Sequence, residues 1–174
     1  MFGLELLAKL FKILRAEDTP NQIAAGFVLG MVIGLTPLMT LHNLIIMVLI
    51  AILKVNIGAA VFAFIICSGL AYLLDPWFHG LGYYVLVEMP ALKPLFTAWY
   101  NYPVIALSRY NNTVVMGSLL VSILLIIPVF PFVKYFVTYY RRHLDPKLQK
   151  LKIVQVVKGT KFYRLYEKIR GVIE

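Results

Sequence analysis

The stretch NQIAAGFVLGMVIGLTPLMTLHNLIIMVLIAIL, Asn21–Leu53, runs for 33 residues without a Lys, Arg, Asp or Glu. Val55–Leu74 adds 20 more uncharged residues and Tyr110–Val133 another 24. A bilayer core about 30 Å thick is crossed by about 20 predominantly apolar residues in a helix. Uncharged runs of this length predict an all-α integral membrane protein with about four membrane helices.

Within the first stretch, Thr19-Pro20 is a helix start: a capping hydroxyl followed by proline at the first helical position. The segment 20–36 carries Gly26, Gly30 and Gly34, a doubled Gly-x-x-x-Gly pattern on one face. Missing side chains there let another helix backbone approach closely. That helix is either one of this chain's own or the same helix of a second copy, which would make a homo-oligomer. Pro37 ends or kinks the segment. The next segment, 38–53, is short for a full crossing and opens with Thr40, His42 and Asn43. Lys54-Val55-Asn56 separates it from segment 57–74. Segments two and three are read either as two thin crossings or as one re-entrant hairpin.

Asp75-Pro76 is expected to end the third segment. Residues 75–112 are then a separate region rich in Trp and Tyr, broken by Pro90, Pro94 and Pro103 into pieces too short to span. Such aromatics favour the membrane–water boundary, so short helices on the outer surface are expected. Asn111-Asn112-Thr113 caps a last membrane segment, 113–134, which holds Pro128 and Pro131.

The flanks carry the charge. The whole chain has 174 residues, 61% of them hydrophobic, a mean hydropathy of +0.82 and a formal charge of +9. Residues 141–174 hold ten Lys/Arg against Asp145, Glu167 and Glu174. They read as a basic, helical cytoplasmic tail to a membrane domain of residues 1–140. Residues 1–16 read as an amphipathic helix, with Leu4, Leu7, Leu10, Phe11 and Leu14 opposite Glu5, Lys9 and Lys12, lying in the headgroup plane. Those lysines interrupt the apolar stretch, and a cleavable signal peptide is not expected. Both ends are basic and 75–112 is neutral, so the positive-inside rule puts both termini in the cytoplasm. A basic tail on a membrane protein points to anionic phospholipid; no motif points to nucleic acid.

Two polar clusters are the candidates for partner or lipid binding, because polar groups at membrane depth are costly unless paired. One is Thr36, Thr40, His42 and Asn43 around Pro37; the other is Asp75 and His79 with Arg109, Asn111 and Asn112. An Asp75–Arg109 ion pair closing the aromatic region is one option; separate solvated charges are the other. Cys67 is alone, and the spacings of His42, His79 and Asp75 match no metal site, so no cofactor or metal is expected. No nucleophile elbow, phosphate loop or zinc-protease motif occurs. A faint internal echo pairs Asn21, Gly26 and Pro37 with Asn112, Gly117 and Pro128, each displaced by 91. It suggests a duplicated proline-broken helix.

Pro20-Asn-Gln-Ile-Ala-Ala-Gly-Phe-Val-Leu-Gly-Met-Val-Ile-Gly-Leu-Thr-Pro37 and Leu53-Lys-Val-Asn56 resemble the bacterial domain-of-unknown-function family 2062. Leu41-His-Asn43, Leu74-Asp-Pro76 and Arg109-Tyr-Asn-Asn-Thr-Val-Val-Met-Gly-Ser118 extend the resemblance, which covers residues 1–135 and adds Asn56 to the candidates. It implies a small, multi-pass inner-membrane protein of bacteria with an outer membrane, one half of a two-gene pair with a larger envelope protein. It implies no established enzymatic activity.

The expected function is therefore a non-enzymatic inner-membrane component of an envelope-spanning assembly. It would anchor a larger periplasmic partner, with lipid handover, or lipid transport, as an added role. A small permease whose proline-broken helices line a solute site, and a lipid-modifying enzyme using Asp75 with His79, are the alternatives.

Overall fold

The computed structural model describes residues 10, 11 and 13–145, and these contain helices and no strand. The amphipathic helix expected over 1–16 lies mostly outside the described residues, and so does the basic tail beyond Asp145. The chain divides into two compact units after Tyr135.

Helix α1, Pro20–Leu35, starts as its sequence requires. The Thr19 hydroxyl accepts from Gln22 N at 3.3 Å, and the Gln22 side chain accepts from Thr19 N at 2.8 Å, a reciprocal capping box. Its end is equally local. Thr36 is extended, as the residue before a proline prefers to be, and Pro37 has no N–H to continue the ladder. Helix α2, Leu41–Ile52, has 12 residues and a length of about 18 Å. Asn43 is the buried residue of α2, while Leu44, Met47, Val48 and Ile52 are exposed.

Helix α3, Ile57–Tyr83, is capped by Asn56, whose Oδ1 accepts from Ala59 N at 2.6 Å. It runs straight through Asp75-Pro76, where the sequence predicts an end. Pro76 deprives the Tyr72 carbonyl of its donor, a cost a helix bears when packing on both sides of the proline holds it. Here Cys67 before it and Phe78 after it belong to one buried cluster with Val28, Met31 and Leu35 of α1. A π-helical turn, Tyr84–Glu88, extends α3 to 32 residues. Segment three is thus the first half of a long helix and not one limb of a short hairpin with segment two. The apolar helices of intermediate length, 16 and 12 residues, are α1 and α2.

Short pieces follow: a 3-10 turn at Pro90–Leu92, then α4 (Lys93–Tyr100) and α5 (Pro103–Ala106). The last long helix, α6, is Thr113–Tyr139, with Pro128 and Pro131 inside it. A π-helical turn at Tyr140–Leu144 follows, and the Tyr140 hydroxyl donates to Asp145 Oδ1 at 3.4 Å.

Helices α3 and α6, each with its π-helical extension, are long and apolar enough to cross a membrane. Their most apolar windows are only 22% and 28% buried. The core helix of a soluble protein would be mostly buried, so these exposed faces favour membrane association.

Glycines fix how the helices lie. A Cβ on Gly26 would meet the Asn56 carbonyl, one on Gly30 the Ala60 backbone, and one on Gly34 the Phe64 carbonyl. Each partner is 30 positions further along, so α1 and α3 are parallel with backbones in contact. Of the two readings of the glycine face, the structure has the one within a single chain. Against α6 the order reverses. Gly82 meets Thr113 and Gly117 meets Phe78, so α3 and α6 are antiparallel.

The repeat echo therefore joins unlike elements. Gly26 packs in a parallel pair and Gly117 in an antiparallel one. Pro37 ends a helix, whereas Pro128 lies within one.

Candidate functional site

The parallel register sets the height of the α1–α2 turn. The last α1 glycine, Gly34, meets Phe64 and Cys67. From Cys67, α3 continues to Tyr83, about 24 Å further. The turn at Thr36–Thr40 thus sits beside the middle of the long helix, not beside its end.

The turn is held by its own polar groups. Asn43, 1% exposed, donates from Nδ2 to the Pro37 carbonyl at 2.9 Å. Its Oδ1 is 2.9 Å from the Thr36 hydroxyl, which is also 2.8 Å from the Val32 carbonyl. The single hydroxyl proton is shared between those acceptors. Thr40 donates to the Pro37 carbonyl at 3.1 Å, and His42 Nε2 lies 3.0 Å from the same hydroxyl. With the imidazole proton on Nε2, His42 donates to Thr40, and each of these side chains has a partner. Among the described residues no buried side-chain donor or acceptor is unsatisfied. Four of the sequence-predicted site residues, Thr36, Pro37, His42 and Asn43, thus build the turn itself.

Beside the turn lies a groove of about 280 Å³, lined by Gly34, Leu35, Thr36, Pro37 and Leu38 on one wall and by Ser68, Ala71, Tyr72 and Asp75 of α3 on the other. Thr36, Pro37 and Asp75, from two separate sequence clusters, meet here. Asp75 makes no hydrogen bond or ion pair among the described residues, and neither does the Ser68 hydroxyl. Ser68 and Tyr72 were not singled out by the sequence. Their spacing to Asp75, at i+7 and i+3, puts them on its helix face, but only the position of the turn shows what that face meets.

The rest of the second cluster is elsewhere. Gly82 meets Thr113, and Asp75 lies seven residues, about 10 Å, back along α3. Arg109 precedes the start of α6 on the far side of that contact, and no ion pair joins it to Asp75 among the described residues. Arg109 instead holds a left-handed backbone, φ 58°, in a turn closed by Asn112 N donating to its carbonyl at 2.9 Å. Asn112 caps α6 by accepting from Val115 N at 3.1 Å. His79 turns to Thr113, Nδ1 to Oγ1 2.7 Å, tying α3 to α6. Asn111 lines a second hollow of about 470 Å³ with Lys93, Phe96, Tyr100 and Tyr110. The hollow is braced by rings. Phe96, Trp99 and Tyr110 have centroids 5.8 to 6.1 Å apart, and the Tyr110 hydroxyl donates to the Phe96 carbonyl at 2.8 Å.

Asn56 is at the opposite end of α1. Its N–H donates to the Gln22 carbonyl at 3.1 Å, its Nδ2 to Asp18 Oδ2, and its Oδ1 caps α3. It locks the feet of α1 and α3 together and belongs to neither groove.

The family described as uncharacterized proteins conserved in bacteria (DUF2062) matches residues 6–144. An uncharacterized protein of Treponema pallidum (strain Nichols) is 27% identical over 154 residues, covering 88% of this chain and 94% of that protein. No solved structure matches.

Proposed function

This chain belongs to the bacterial family DUF2062, and on that premise we propose that it is a non-enzymatic inner-membrane component of an envelope-spanning assembly. In this reading it anchors a larger periplasmic partner and hands it phospholipid. The observation that carries the reading is the register of α1 on α3, which stops the α1–α2 pair halfway along a helix long enough to cross.

In a bilayer, α3 and α6 cross. The α1–α2 pair enters from the cytoplasmic side, turns near the middle and returns to Lys54. A 12-residue helix of about 18 Å cannot span about 30 Å of hydrocarbon. Irregular backbone at that depth is tolerated where polar groups find partners within the protein, as the Thr36 hydroxyl, the Pro37 carbonyl and the Asn43 amide do. This arrangement gives two crossings and one re-entrant pair in place of four crossings, and leaves both termini cytoplasmic. Lys54 then lies on the inner side.

A half-depth hairpin leaves α3 uncovered above its turn. Lipid there meets a short, mismatched stretch of protein, and neighbouring bilayer adjusts to it. Residues 84–112 stand above the notch on the periplasmic side. Beside the cluster of Phe96, Trp99 and Tyr110, Tyr100 and Tyr102 are 68% and 61% exposed and make an aromatic platform. Exposed Tyr is suited to protein contact.

The second reading is a small permease, favoured by Asp75 standing unpaired in a groove beside a helix break. One experiment separates the two. The protein is extracted from native membranes under mild conditions, and its co-purifying proteins and lipids are identified by mass spectrometry. A large envelope protein with phospholipid supports the assembly. A lone chain with a bound small solute supports the permease.

A further inference from the structure

We propose that the groove between the α1–α2 turn and Asp75 receives the primary ammonium group of an aminophospholipid headgroup. The inference rests on the half-depth hairpin of the proposed topology and adds to it the chemistry of the lipid.

The one charged side chain of the groove and the backbone carbonyls at the end of α1 are acceptors, while the hydroxyls of Thr36, Ser68 and Tyr72 both donate and accept. Asp75 brings a carboxylate with no partner among the described residues. The end of α1 brings Gly34 and Leu35, whose carbonyls no backbone donor reaches among the described residues. The C-terminus of a helix carries a partial negative charge, normally offset by Lys or Arg in the last turn, and α1 has no basic residue there. Ser68 adds a hydroxyl. No Lys or Arg lines the groove, so its field is uncompensated and negative.

The shape favours an ammonium on a carbon stem over a bare metal ion. About 280 Å³ is far more than an ion cage, and Leu35, Leu38, Ala71 and Tyr72 make most of the wall apolar. Tyr72 stands at the rim, 82% exposed, three residues before Asp75 on the same helix face. An aromatic face beside a carboxylate attracts an ammonium group through the ring quadrupole as well as the charge. Asp75 lies above the turn, in the stretch of α3 that the hairpin leaves open. A headgroup from the outer leaflet would therefore reach it by dipping into the notch, with its acyl chains still in lipid.

The test uses the full chain in lipid nanodiscs of three compositions: phosphatidylethanolamine, phosphatidylglycerol and phosphatidylcholine. Lipids retained after release are counted by native mass spectrometry. Wild type should retain phosphatidylethanolamine about tenfold or more over the other two, the scale of a hydrogen bond to a charged group. Asp75→Asn should abolish the preference and Asp75→Glu should restore part of it, both with unchanged melting temperature, since Asp75 holds nothing else. Tyr72→Leu should weaken it a few-fold. Millimolar ethanolamine then separates the sources: displacement means the ammonium alone is read, and no displacement means it is read within the lipid. Equal retention of the three lipids by wild type, or a preference that survives Asp75→Asn, overturns the proposal. The same samples carry the partner readout. Wild type without lipid preference that still holds its envelope partner loses this inference alone, whereas loss of the partner from wild type removes the assembly reading.

Discussion

Gly30 lies flat against Ala60: a Cβ added to Gly30 would stand 2.7 Å from the Ala60 Cα, closer than real Cβ atoms approach. This contact, with its neighbours at Gly26 and Gly34, makes α1 parallel to α3 and fixes where the α1–α2 turn falls. The obstacle is backbone, which cannot swing aside as a side-chain tip does.

Gly30→Ala should therefore destabilise the fold by about 1–3 kcal/mol, the usual cost of overpacking. Gly69 and Gly80 of α3 have nothing within 4 Å of an added Cβ. Gly69→Ala and Gly80→Ala should be neutral or stabilising by up to about 1 kcal/mol through helix propensity. Thermal unfolding in detergent reads all three. Equal melting temperatures would mean that α1 is not packed on α3 in this register.

The turn offers a second prediction. Asn43→Ala removes the donor to the Pro37 carbonyl and the acceptor beside the Thr36 hydroxyl. The loss should cost about 1–3 kcal/mol. His42→Ala should cost less, because Thr40 keeps its bond to the Pro37 carbonyl. The reverse ranking in the same melting assay would show that the polar turn is not held by Asn43.

Arg109 gives a third. Its left-handed backbone is a conformation that glycine adopts freely and arginine does not. Arg109→Gly should stabilise by about 1 kcal/mol. The swap Asp75→Arg with Arg109→Asp should be no better than the worse single change, because the two residues form no ion pair. A double variant that melts well above both singles would restore the pair.

The depth of the hairpin is read by labelling. In a Cys67→Ser background, single cysteines replace Leu38 at the turn, Ala91 above α3 and Lys54 below it. An impermeant thiol reagent applied to intact spheroplasts should label the Ala91 position at once and the Lys54 position only after lysis. The Leu38 position, at half depth, should label slowly in both cases. Rapid labelling of it from outside would mean that α1 and α2 cross fully.

Much of the fold was legible because its signals are local. The Thr19-Pro20 start, the Thr36-Pro37 stop, the Asn112 cap and the glycine face each announce themselves within a few residues. Pro76 misled because its local cost is outweighed by packing of Cys67 and Phe78, which no local pattern reveals. Between a paired and a separate Asp75 and Arg109 the spacing does not decide, because it depends on where α3 ends: the helix runs on to Tyr83, and Asp75 is not at its rim. The groove could not be read at all from spacing. It exists because Gly34 meets Phe64 and Cys67, a long-range register that brings Pro37 to the face of Ser68, Tyr72 and Asp75.

The anchoring of an envelope partner is tested most directly by site-specific photocrosslinking in living cells. A photoreactive residue is placed at Tyr100 on the aromatic platform and, separately, at Ile52 near the cytoplasmic foot of the hairpin; both positions are exposed. The proposal predicts one discrete adduct from position 100, containing a larger protein with a periplasmic domain, and no such adduct from position 52. The same adduct from both positions, or only self-adducts from position 100, would contradict it.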